Sequence, residues 1–107
     1  MRIDNLNQYG TYRLVFPLTV NGLPVSAITD AKFEIRDSSG VLLSLSLEEN
    51  PAEVSFTDSK IHVVLNSINT VELISNYTYE MWVKLSDNKP YIVRSGTILF
   101  NKTTVRF

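Results

Sequence analysis

The feature that most constrains this chain is a two-residue alternation of apolar and polar side chains. It recurs in short runs, each cut by turn-forming residues. In "TYRLVFPLTV", Tyr12, Leu14, Phe16, Leu18 and Val20 share one face, while Thr11, Arg13, Val15, Pro17 and Thr19 share the other. Successive side chains of a strand project to opposite sides, so this is the pattern of a strand with one buried face. Pro17 has no N–H to give a ladder, which predicts a sheet edge or a bulge there. The same period returns through Ala31, Phe33 and Ile35, through Val41, Leu43, Leu45 and Leu47, and through Ile61, Val63 and Leu65. Asn21-Gly22, "DSSG" at 37–40, Asp58-Ser59 and "SDNKP" at 86–90 supply the turns between them.

One segment departs from this rhythm. "SINTVELIS" places Ile68, Val71 and Leu73 near helical spacing after Ser67, which predicts either one or two helical turns capped by that serine or an irregular crossover. Gly96 inside the last apolar run predicts a bulge or a close backbone approach. About seven or eight short strands, spaced roughly 8 to 12 residues apart, are the signature of an all-β chain folded as an antiparallel immunoglobulin-like β-sandwich. The 107 residues form one domain, with residues 1–10 and 102–107 as short terminal arms. Val105 and Phe107 make the second arm apolar enough to add a strand to its own sheet or to a neighbour's.

Composition narrows the function classes. Ten basic and eleven acidic residues are spread without a run of one sign, so there is no electrostatic footprint for nucleic acid and no polybasic anchor for a membrane. The chain has no cysteine, which excludes disulfides, thiolate metal sites and cysteine nucleophiles. "MRIDNLNQYG" lacks the apolar stretch of a secretory signal, so synthesis in a cytoplasm without a cleaved leader is expected.

Chemistry is equally sparse. The single histidine, His62, alternates outward between Ile61 and Val63 and has no identifiable partner, which reads as a surface side chain rather than a general base. Glu48, Glu49 and Glu53 crowd "EENPAE", but their spacing fits no calcium loop. No cofactor motif and no metal set is present, and an enzyme is not expected.

The remaining signal is the only tryptophan. In "YTYEMWVKLSDNKP", Tyr77, Tyr79, Met81, Val83 and Leu85 take the core side, which leaves Trp82 among polar residues on the other. Closing the hairpin with Leu85 opposite Tyr91 sets Lys84 across from Ile92 and Trp82 across from Arg94. A guanidinium stacked on the indole would make this a self-contained pair. One rival reading is an interface patch, since such patches are enriched in aromatics and arginine, and another is that a second layer covers this face. The candidate interface is therefore Trp82, Lys84, Tyr91, Ile92 and Arg94, together with Val105 and Phe107 of the arm.

These residues also carry a resemblance. Asn21-Gly22 after the first strand, the alanine-led run Ala31, Phe33, Ile35, Arg36 and Asp37, and a final hairpin with Tyr77, Tyr79, Gly96 and Ile98 fall in the order seen in a phage domain. Across residues 12–100 the chain resembles the small immunoglobulin-like domain of tailed-phage virion proteins, as at the N-terminus of upper baseplate proteins. The resemblance implies a virion structural protein of the tail, baseplate, neck or capsid, made in the host cytoplasm. It implies assembly with copies of itself and with other phage structural proteins, as a homo-oligomer. The sequence also leaves open a carbohydrate-binding or host-adhesion module, in which Trp82 and Tyr91 stack on sugar rings.

Overall fold

A computed structural model describes residues 2–70 and 73–102. Its strands are β1 (Arg2–Asn7), β2 (Tyr12–Pro17), β3 (Thr19–Val20), β4 (Leu23–Pro24), β5 (Asp30–Asp37), β6 (Gly40–Ser46), β7 (Val54–Thr57), β8 (Lys60–Leu65), β9 (Asn76–Lys84) and β10 (Pro90–Asn101). A single helical turn, α1 (Ser67–Thr70), joins β8 to β9. The strands form a five-stranded sheet in the order β1-β10-β9-β5-β6 and a three-stranded sheet in the order β2-β8-β7, with β3 and β4 as a small separate pair. Successive strand pairs fall alternately in the two sheets, β5–β6 in the larger, β7–β8 in the smaller and β9–β10 in the larger, which gives the all-β sandwich that the turn spacing predicts.

The core lies between the sheets, and alternation decides who enters it. Ala31, Phe33 and Ile35 from β5, Tyr79, Met81 and Val83 from β9, and Ile61, Val63 and Leu65 from β8 are all buried. Phe16, Phe33 and Tyr79 form a tilted aromatic triangle with ring centroids 6.0 to 6.4 Å apart. Tilted rings at this separation add pair attraction to their large buried area. The turns follow their residue chemistry. Asn21 and Gly22 both adopt positive φ, 53° and 79°, and so do Asp58 and Ser59, 54° and 61°. Two left-handed residues in a two-residue loop match the twist of the strands they join. Pro17 ends β2, which is an edge strand of its sheet, as its missing donor requires.

Three expectations are corrected. The segment before residue 10 is not a polar arm: β1 runs parallel to β10, with Ile3 beside Ile98 and Leu6 beside Phe100, and Leu6 is buried. This pair also makes the larger sheet mixed rather than purely antiparallel. The cap of α1 is Asn66 rather than Ser67, because Asn66 Oδ1 accepts from the Asn69 N–H (3.0 Å) while Asn69 Oδ1 accepts from the Asn66 N–H (2.9 Å). Ile68 faces outward and Leu73 is buried, while Val71 lies outside the described residues. The irregularity expected at Gly96 sits at Val93 instead, where the β9–β10 register shifts.

Candidate functional site

The β9–β10 hairpin is held rigidly at its tip. The Asn88 N–H donates to the Leu85 carbonyl (2.9 Å), the Lys89 N–H donates to Asp87 Oδ1 (3.0 Å), and the Tyr91 hydroxyl donates to Asp87 Oδ2 (2.5 Å). The Tyr91 bond, aided by the Lys89 N–H, holds the Asp87 carboxyl below its usual range, and the same bond pushes the Tyr91 phenol up. Thr29 ties the tip to the start of β5. Its N–H donates to the Lys84 carbonyl (2.8 Å), and its hydroxyl lies 3.2 Å from the Lys84 and Leu85 carbonyls.

The register of this hairpin separates residues that the sequence reading had joined. Pro90 pairs with Lys84, Tyr91 with Val83 and Ile92 with Trp82, and after the shift at Val93, Arg94 pairs with Met81. One inserted residue reverses the facing of everything beyond it. Arg94 therefore lies on the core side, its guanidinium carbon 5.7 Å from the centre of the Phe16 ring, and it is no part of a Trp82 stack. Trp82 stays on the outward face, half-buried between Ile92 on one flanking strand and Lys32 on the other. Lys84 is exposed one row further along, between Asp30 and Pro90. Tyr91 and Ile92 are 42% and 49% exposed, large values for such side chains, so both are available to a partner. Val105 and Phe107 lie outside the described residues.

Two grooves lie near the tip of this hairpin. The first is a shallow trough of about 290 Å³ on the outward face of the larger sheet, lined by Asp30, Lys32, Glu34, Trp82, Lys84 and Pro90 among others. The second, about 430 Å³, lies at the end of the sandwich, where Leu18 and Val20 face Leu85, Tyr91, Ile92 and Val93. Val20 is 44% exposed, and Leu23, its partner in the β3–β4 pair, is 68% exposed. This end of the molecule thus presents a cluster of apolar side chains on short, tightly turned hairpins.

The outward face carries a charge network that the sequence reading missed. Glu34 and Glu80 sit directly opposite each other on β5 and β9, a placement that repels. Arg36 resolves it. Its Nη2 donates to Glu34 Oε1 (2.5 Å) and its Nε lies 3.8 Å from Glu80 Oε1, while Lys32 Nζ approaches Glu34 Oε2 at 3.9 Å. The hydrogen bond to Glu34 and its charge raise the Arg36 pKa further. Trp82 Nε1 donates to Glu80 Oε1 (3.3 Å), which fixes the plane of the indole. Glu34 ends only 8% exposed although it faces outward. The signal was present in "DAKFEIR", whose polar positions 30, 32, 34 and 36 alternate in sign.

His62 lies between Val15 of β2 and Ser55 of β7 and is half-buried, less open than its outward register suggests, with Nδ1 enclosed and without a hydrogen-bond partner. Glu48 and Glu49 are exposed and Glu53 half-buried in the turn between β6 and β7. Among the described residues no three His, Asp or Glu side chains gather as a metal set. No family model matches the chain, and no curated protein gives a match to it.

Proposed function

We propose that this chain is a structural subunit of a tailed-phage particle that works by docking onto other proteins. The observation that carries the docking part is the exposed apolar cluster of Val20, Leu23, Tyr91 and Ile92. Isolated exposed apolar residues are ordinary, but a cluster beside a groove and rimmed by polar residues marks an interaction surface. The backbone under it is tied by Asp87 and Thr29, so little ordering entropy opposes association. The phage part rests on the resemblance across residues 12–100. Mass spectrometry of purified particles, from cells producing a phage that encodes this chain, is expected to find it at fixed stoichiometry. Its absence from intact particles would remove the virion reading.

A carbohydrate-binding reading draws on the groove beside Trp82, whose oriented indole and flanking Asp30, Lys32 and Glu34 resemble a sugar platform in chemistry. The single tryptophan reports on it directly. Titration with host cell-wall polysaccharide that leaves its emission unchanged counts against this reading.

A further inference from the structure

The outward side chains of β5 repeat in sign as Asp30 minus, Lys32 plus, Glu34 minus and Arg36 plus. Adjacent members of this row stand about 6.8 Å apart, two strand residues each. Read backwards, the row has the opposite sign at every place. A second copy of the same row, laid face to face and antiparallel, therefore sets Asp30 against Arg36 and Lys32 against Glu34 at all four levels.

From this self-complementarity the geometry points to a two-fold dimer, formed by the outward faces of two five-stranded sheets with the axis crossing between Lys32 and Glu34. An isologous contact requires one patch to complement itself, and most patches of mixed charge do not. Here the requirement is met by the order of four residues on a central strand rather than an edge strand. Lys32 and Arg36 side chains are 53% and 45% exposed, so they can reach across. Faces packed in an aligned sandwich cross at about 30°, which separates the outermost rows by a few ångström, and the long arms of Lys32 and Arg36 span that gap. Trp82 and Ile92 lie at the level of Lys32 and supply the apolar contact that a purely charged face would lack. The dimer does not depend on the virion reading, and of the hairpin-end cluster it uses only Ile92.

The test is a charge exchange read by sedimentation equilibrium at low ionic strength. The native chain is expected to dimerise, and to dissociate as salt is raised, because partly exposed pairs are screened. Lys32→Glu places like charges together on both sides of the axis, so dimerisation should weaken about tenfold or more. Glu34→Lys alone should do the same. An equimolar mixture of the two folded variants restores opposite signs at every level and should give a heterodimer. A native chain that stays monomeric at low salt overturns the proposal, as does Lys32→Glu dimerising as well as the native chain. Folded variants that fail to pair on mixing overturn it too. If Glu34→Lys does not fold, Lys32→Glu and the salt dependence decide alone. Dimerisation abolished by Leu23→Asp but untouched by Lys32→Glu would assign the contact to the hairpin end instead.

Discussion

The two sides of the larger sheet obey the same period and are held by opposite means. On the inner side, Phe33, Ile35, Tyr79 and Met81 are completely enclosed, and their stabilisation is non-directional removal of apolar surface from water. On the outer side, one residue along each strand, Glu34 and Glu80 are held by directional bonds from Arg36, Lys32 and Trp82. The inner side tolerates any well-fitting apolar shape, whereas the outer side depends on the identity of each neighbour. Burial therefore specifies that the sheet forms, and charge order specifies what it can meet.

Four single substitutions and one double variant test this contrast. The largest effect is expected from Phe33→Ala, which opens a cavity under the aromatic triangle and should cost about 3 to 5 kcal/mol in urea unfolding. A loss below about 1 kcal/mol would mean the core closes around the gap. Arg36→Met comes next. It removes the bridge between two facing carboxylates, so it should destabilise by less than Phe33→Ala, and adding Glu80→Gln should recover part of the loss in the same assay. If the double variant is no better than the single one, the two glutamates do not repel.

Tyr79→Phe is expected to be smaller and of opposite sign. The Tyr79 hydroxyl is buried without a hydrogen-bond partner, so its removal should be neutral or should stabilise by up to about 1 kcal/mol. The same group sets a pH dependence. Burial pushes the Tyr79 phenol up, partly opposed by the Arg94 charge. A phenol with a raised folded-state pKa contributes stability that is whole below its ordinary value near 10 and is lost as pH rises above that value, because the unfolded chain releases the proton first. Tyr79→Phe should flatten this alkaline decline in thermal melts, leaving the contribution of Tyr91, whose bond to Asp87 raises it in the same direction. The smallest effect on stability belongs to Ile92→Asp, within about 0.5 kcal/mol because the side chain is half exposed. Its readout is association, which should weaken because Ile92 belongs both to the hairpin-end cluster and to the outward face of the sheet.

The inner side was legible from residues alone, because burial imposes alternation and alternation survives in the letters. Phe16, Phe33, Tyr79 and Ile61 all lie where a period of two puts them. Turns were legible for a similar reason, since Asn21-Gly22 and Asp58-Ser59 admit positive φ. The bulge at Val93 was not, because an inserted residue leaves no mark on composition, and that single position moved Arg94 from the Trp82 face to the Phe16 face. The β1 strand was hidden by its polar letters, which suit an edge strand with one open side. Glu34 was hidden because its burial depends on the carboxylate across from it on β9 and on Arg36, two residues along its own strand, which bridges both.

The parallel pairing of β1 with β10 also governs how the molecule bears load. Because the two strands point the same way, a force that drags the start of β1 from the end of β10 slides one along the other. The bonds between them, on both sides of the irregularity between Ile3 and Leu6, are then strained together, whereas an antiparallel pair pulled at its open end would unzip bond by bond. A fold closed in this manner resists tension along its length and should yield far more readily to a pull that peels β6 sideways from β5.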